Sequence, residues 1–204
     1  MSEGTALRRS IVVLDYDPAW PARFQAVRQR LEALLQGLTA EICHVGSTSI
    51  PGMCAKPKID VDVVLRDAGA IPDGIARMRA AGYDDHGDKY DDGMWAFTTG
   101  RGSYGERIYL CAPGTATHED RCLFRDYLRL HPGAAAEYAA LKRRLASETA
   151  SDWNHYTGGK GPFVAEIVSR AKRARSNDTP GDTPGDTPGD APGDASGNLR
   201  SRGP

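Results

Sequence analysis

The sequence predicts an α+β domain, a small mixed β-sheet flanked by helices and followed by a helical C-terminal half. Three observations carry the prediction. Short apolar runs bounded by Gly, Pro and Asp occupy the chain up to about residue 112. Beyond residue 118 the apolar positions recur at helical spacing instead. Within the first of these regimes, Ile59-Asp60-Val61-Asp62-Val63 alternates strictly, which is the pattern of a strand with one apolar and one polar face.

Each element follows from its own signals. Ile11 to Leu14 reads as a strand or extended lead-in, and Asp17-Pro18 as an N-cap with proline at the first helical position. Trp20, Phe24, Val27, Leu31 and Leu34/Leu35 lie at helical spacing and predict an amphipathic helix ending near Gly37. Glu41 to Val45 is the next strand and runs into a Gly-Ser turn; Ile59 to Leu65 is the carboxylate strand; Ile71 to Ala81 is a helix closed by Gly82. Met94 to Thr98 and Glu106 to Ala112 form two strands around a turn at Arg101-Gly102-Ser103. Three helices follow: His118 to Leu130, ending before His131-Pro132; the alanine-rich Ala134 to Thr149; and Pro162 to Arg175.

Composition bounds the remainder. At 204 residues, 40% hydrophobic and 26% charged, the chain supports one domain with a core, assigned to residues 11–175 after a flexible 1–10. From Thr179 the chain reads Thr-Pro-Gly-Asp three times, then Ala-Pro-Gly-Asp, so residues 176–204 are expected to be a disordered tail, with too little apolar surface to offset ordering. A net charge of −1 gives no global attraction for nucleic acid or anionic membrane, so an anion site must be local. The four cysteines show no metal-ligand spacing, no run has the length of a membrane span, and nothing at the N-terminus reads as a signal peptide; a reduced, cytoplasmic protein is expected.

The chemistry concentrates in two adjacent segments. His44-Val45-Gly46-Ser47-Thr48-Ser49 is a strand end running into a Gly-Ser turn, where glycine lets backbone amides approach a phosphate. Asp60 and Asp62 stand on one strand face, roughly 6–7 Å apart, and two carboxylates at that separation suit a hard cation, Mg²⁺ (or Mn²⁺), arriving with a phosphorylated substrate.

The order Val45-Gly46-Ser47, twelve residues, then Asp60-Val61-Asp62-Val63 resembles the signature of the DNA polymerase β-like nucleotidyltransferase superfamily. The run His-Val-Gly-Ser-Thr-Ser-Ile-Pro-Gly with Ala55-Lys56-Pro57-Lys58-Ile59-Asp60 resembles, more narrowly, the GrpB family. Tyr16 to Trp20, Phe124 to Arg129 with His131-Pro132, and Tyr138 to Lys142 with Tyr156 and Lys160 agree with it. The resemblance implies a nucleotidyltransferase-like sheet and transfer of a nucleoside monophosphate from an NTP, with ATP as the expected donor, to a small-molecule acceptor. It implies that Gly46, Ser47 and Thr48 hold phosphate, that Asp60 and Asp62 are catalytic and hold Mg²⁺ against the triphosphate, and that Lys56, Lys58, Arg125, Lys142 and Lys160 complete the phosphate site. The absence of a basic helix or aromatic-basic interleaving argues against a polynucleotide acceptor.

Plainer alternatives stand beside these roles. His44 is a candidate catalytic group or a histidine bonded to a backbone carbonyl; Arg125 and Lys142 are phosphate ligands or helix-surface partners of Asp126 and Glu137. Cys43 beside His44 suggests zinc, but adjacent strand residues face opposite ways. The superfamily's third carboxylate has candidates in Glu106, Asp91 and Asp92, and where the resemblance implies a histidine near the end of that strand this chain has Cys111. Two other functions therefore stay open: a non-catalytic nucleotide- or ligand-binding module that kept the pocket, and an accessory or assembly domain of the kind fused to a coenzyme A biosynthetic kinase. The chain has no P-loop to be that kinase.

Overall fold

A computed structural model describes residues 11–88, 91–99, 104–149 and 152–178. The elements are α1 (Trp20–Leu34), β1 (Thr39–Val45), β2 (Lys58–Leu65), α2 (Ile71–Ala80), β3 (Asp84–Asp85), β4 (Trp95–Thr99), β5 (Gly105–Cys111), α3 (Ala116–Leu130), α4 (Pro132–Thr149), α5 (Trp153–Gly158) and α6 (Gly161–Asp178). They form one five-stranded mixed sheet of order β1-β2-β5-β4-β3, in which only the central pair, β2 and β5, is parallel. The expected α+β class is the observed one.

Alternation along β2 sorts the sheet into two unlike faces. Ile59, Val61, Val63 and Leu65 join Ile108, Leu110 and Phe97 on a face covered by Trp20, Phe24, Val27 and Leu31 of α1 and Ile75 and Met78 of α2. That is the main core. The opposite face carries Asp60 and Asp62 and is overlaid by α3. A second apolar cluster, with Ile50, Met53, Phe124, Leu128, Tyr138, Ile167 and Val168, joins the loop after β1 to α3, α4 and α6. The turn leading to the acids is therefore seated on the helical half.

Several boundaries differ from expectation for identifiable reasons. Helix α1 starts at Trp20 with Pro21 in its first turn; Asp17 caps the preceding turn, its Oδ1 accepting from the Ala19 amide at 2.8 Å. The lead-in makes a bridge rather than a strand, Leu14 pairing with Ala55. Strand β3 has two residues and α5 has six, both too short for periodicity to register. Asp152 caps α5, accepting from the Asn154 and His155 amides at 3.0 Å each. Helix α6 continues to Asp178, through the first three residues assigned to the tail. The expected flexible 1–10, the turn at Arg101-Gly102-Ser103 and residues 179–204 lie outside the described residues.

Candidate functional site

Strand register builds the site. On the acidic face Val45 and Arg107 flank Asp60 from β1 and β5, while Cys43 and Tyr109 flank Asp62. Gly46 ends β1 at φ +70°, and a Cβ there would sit 2.7 Å from Asp60 Oδ2, so only glycine lets the turn lie against this carboxylate. A single helical turn, Ser47–Ser49, follows. Ser49 Oγ donates to the Gly46 carbonyl at 2.6 Å, and Thr48 Oγ1 donates to the Lys58 carbonyl at 3.3 Å.

The two aspartates have different environments. Asp62 is fully buried, its Oδ2 3.0 Å from His118 Nδ1 and its Oδ1 accepting from Arg121 Nη1 at 2.9 Å. The carboxylate holds the His118 imidazolium far above its ordinary range, up to about 10. Asp60 is partly exposed, with Arg107 Nη1 at 3.9 Å and with Lys56, Lys58 and Lys160 in its field. Burial, and then the neighbouring charges of Lys160 and Arg107, lower Lys56 to about 8; burial also lowers Lys58 and Lys160. Excess positive charge around a single carboxylate is an unfilled demand for an anion.

A cavity of about 1040 Å³ opens at this point, between the acidic face and α3, α5 and α6. Gly46, Asp60, Arg107, Arg121, Lys160 and Tyr138 line it, with Lys172 and Arg173 farther along α6. Arg121 stacks over the Tyr109 ring, 3.8 Å from its centroid, which fixes the guanidinium without consuming all its donors. Lys172 is partly satisfied by Asp120 at 2.5 Å.

The expected residues thus divide. Gly46, Asp60 and Lys160 line the cavity, and Lys56 and Lys58 lie in the same charge cluster. Lys56 is held over the rings of Trp153 and Tyr156, at 4.4 and 4.8 Å. Ser47 and Thr48 shape the turn. The other candidates sit elsewhere. His44 points to the apolar face, stacked on Phe24 with centroids 4.5 Å apart and Nε2 3.0 Å from Thr48 Oγ1; burial and the nearby Arg129 and Arg125 lower it to about 4, so it is neutral. Glu106 also points away, paired with Arg30 on the other face, because its β2 neighbour is Ile59. Arg125 is spent on Asp126 and the His44 carbonyl, the latter at 3.0 Å. Lys142 is buried, its Nζ on the Cys54 carbonyl. Asp92 caps the approach to β4 and accepts from Thr117 Oγ1 at 3.0 Å, and Cys111 is a buried thiol packed with Val64, Met94 and Tyr109.

A two-aspartate Mg²⁺ centre does not fit this arrangement. Asp62 offers neither oxygen, and the β5 positions facing the pair hold Arg107 and Tyr109 where a third carboxylate would be needed. A divalent cation beside Asp60 would meet a ring of ammonium and guanidinium groups. The imidazole nearest the acidic pair is on α3, His118, at 3.0 Å from Asp62. Arg107, His118 and Arg121 were missed as site residues. Period two along β5 places Arg107 on the Asp60 face, and His118, Arg121, Arg125 and Arg129 form a polar stripe at the spacing that normally packs a core.

Comparison with known proteins agrees across most of the described chain. A solved structure, the conserved protein GrpB from Enterococcus faecalis, superposes with a TM-score of 0.74 at 26% identity, covering 81% of this chain and 99% of that one. YqkA of Bacillus subtilis is 34% identical over 166 residues, 81% of this chain and 48% of the relative, so the chain spans about half the length of that protein. A relative in Mycolicibacterium paratuberculosis, named dephospho-CoA kinase, is 27% identical over 192 residues, 80% of this chain and 46% of the relative. Among the described residues no helix is long and apolar enough to cross a membrane. A profile of the family described as GrpB protein matches residues 10–170, and the chain belongs to that family.

Proposed function

We propose that this protein binds a phosphorylated small molecule of the nucleotide class in the cavity beside Asp60, as a binding module without a catalytic two-aspartate Mg²⁺ centre. The observation that carries the reading is charge. Arg107, Arg121, Lys160, Lys172 and Arg173 line a cavity whose acids, among the described residues, are Asp60 and Asp120, in a chain of net charge −1. Its volume lies at the upper end of the range for small-molecule sites, roughly 300–1,000 Å³. Arg107 and Arg121 supply forked donors and Lys160 a point-charge donor for phosphate oxygens, and Tyr109, Phe124 and Tyr138 supply apolar surface for a base or acyl part.

A second reading, transfer of a nucleoside monophosphate from an NTP with Mg²⁺ or Mn²⁺, is favoured by one observation: the Gly46 turn and Asp60 lie in direct contact, with Asp62 next on the same face. In that reading Asp60 and Asp62 hold the metal and the Gly46-Ser47 turn the phosphates, which requires Asp62 to exchange His118 and Arg121 for the cation. The relative named as a dephospho-CoA kinase adds dephospho-CoA to the ligands worth testing, and favours an accessory role for a chain without a P-loop.

Calorimetric titration of the full chain with ATP, dephospho-CoA and pyrophosphate, in EDTA and in Mg²⁺, separates the readings. The expected result is binding in EDTA that falls at least tenfold in Lys160→Gln or Arg107→Gln, with no pyrophosphate released from ATP in the presence of a panel of acceptors. Mg²⁺-dependent pyrophosphate release abolished by Asp60→Asn would establish the transferase instead. No binding of any of the three compounds would overturn both.

A further inference from the structure

The acidic face of the sheet holds a second group of ligating atoms that the cavity does not use. Cys43 on β1 is the cross-strand neighbour of Asp62, and above this pair α3 presents His118 and Cys122, four residues apart and so on one side of the helix. One ligand atom from each of Cys43, His118 and Cys122 lies within 4.8 Å of the others, and Cys122 Sγ is 3.8 Å from His118 Nε2. All three lie outside the cavity lining, and both cysteines are free thiols.

We propose that Cys43 Sγ, Cys122 Sγ and His118 Nε2 form a site for a thiophilic divalent cation, Zn²⁺ foremost, with Asp62 as the carboxylate that orients the histidine. In a tetrahedral zinc site with Zn–S near 2.3 Å and Zn–N near 2.0–2.1 Å, ligand atoms stand about 3.5–3.8 Å apart. The observed spacing needs side-chain adjustments of about an ångström or less. His118 is already held as a metal-ligating histidine is normally held: Nδ1 is on Asp62 at 3.0 Å, which leaves Nε2 as the nitrogen on the cysteine side.

Donor type decides the metal. Two sulfurs and an imidazole select zinc over magnesium, and three protein ligands leave one position for water or an external ligand. Binding replaces the proton on His118 Nε2 and those on the Cys43 and Cys122 thiols, the first of which now lies 2.9 Å from Glu41 Oε1, and releases all three to solvent. Charge is also in order. Two thiolates and Asp62 face Arg121 and Arg125, so a divalent cation is not stranded among like charges. Cys43 and His118 are nearly closed off, at 7% and 9% exposure, while Cys122 is half-buried and marks the route in. The same arrangement explains why Asp62 differs from Asp60: it serves the histidine rather than a phosphate-bound metal.

The test is metal uptake by the tag-free full chain, reduced and stripped with chelator, measured by equilibrium dialysis with elemental analysis and by cobalt substitution. The expected result is one Zn²⁺ per chain, no Mg²⁺ at this site, and a Co²⁺ spectrum with thiolate-to-metal charge transfer and intense tetrahedral d–d bands. Cys122→Ser, at the most accessible ligand, and Cys43→Ser should each weaken zinc at least tenfold and reduce the charge-transfer band. Asp62→Asn should weaken zinc about 10–100-fold while keeping that band, and Cys111→Ser should change neither. Absence of zinc uptake by the reduced chain, uptake unchanged in both Cys43→Ser and Cys122→Ser, or a cobalt spectrum without the thiolate band would overturn the site. So would a Cys43–Cys122 disulfide as the sole chemistry of the pair.

Discussion

At the scale of single residues, the strongest signals come from charges placed where solvation is poor. Asp62 is tolerated at zero exposure because each oxygen has a cationic donor; removing either partner would leave a buried charge uncompensated. Lys142 is the opposite case. It is 1% exposed, its Nζ donates to the Cys54 carbonyl, and burial lowers it from 10.5 to about 7. Between pH 7 and 10.5 the unfolded chain binds this proton and the folded chain does not, so stability rises with pH across that window. Below about pH 7 both states are charged and the full desolvation cost is present. Replacing Lys142 by Met should therefore raise unfolding free energy most below pH 7, with an advantage that shrinks towards pH 10 by at most about 5 kcal/mol. The Cys54 carbonyl left unpaired subtracts a constant amount at every pH. Urea unfolding of both proteins at pH 6, 8 and 10 checks this, and a pH-independent difference would refute it.

At the scale of elements, α3 does more than cover the sheet. Its inward stripe holds Asp62 through His118 and Arg121, the end of β1 through Arg125, and the turn after β1 through Arg129, whose Nε and Nη2 donate to the Ser49 carbonyl at 3.1 and 2.6 Å. If the turn is clamped from α3, Arg129→Ala should cost about 1–2 kcal/mol. It should also speed amide hydrogen exchange over residues 47–53 while leaving the β2 and β5 amides protected. Uniform acceleration would show that the clamp is not local. These dependences explain what could be read in advance. Helices of ten or more residues, and strands alternating over five or more, declare themselves through repeated burial on one side, and so α1, α2, α3 and β2 were legible. The Gly46–Asp60 contact was legible because glycine and alternation are local constraints. His118, Arg121 and Arg107 were not, because a polar residue on a buried stripe has meaning only once its partner across the tertiary interface is known. The placement of Glu106 and His44 went the other way for one reason: each pairs with a β2 residue a single step from an acid, Glu106 with Ile59 and His44 with Val61, and so falls on the opposite face.

At the scale of the whole molecule, the cavity joins the two halves. Its walls come from β1, β2 and β5 on one side and from α3, α4, α5 and α6 on the other, so an occupant bridges the sheet and the helical bundle. A ligand that binds only the folded, assembled cavity stabilises the whole protein by RT ln(1 + [L]/Kd), about 2.7 kcal/mol at one hundred times Kd. Because net charge is only −1, long-range attraction is weak, and under the proposed reading an anion is held by the local cluster of Arg107, Arg121 and Lys160. Partly exposed ion contacts weaken as the Debye length falls from about 10 Å at 0.1 M salt to about 3 Å at 1 M. Pyrophosphate, which carries the charge without a base, should therefore raise the unfolding temperature of the full chain in EDTA. That increment should shrink steeply between 0.1 and 1 M NaCl and be largely absent in Lys160→Gln, whereas the unfolding temperature of the unliganded protein should change little between the two proteins. An increment that survives 1 M NaCl, or that Lys160→Gln leaves intact, would place the anion somewhere other than beside Asp60.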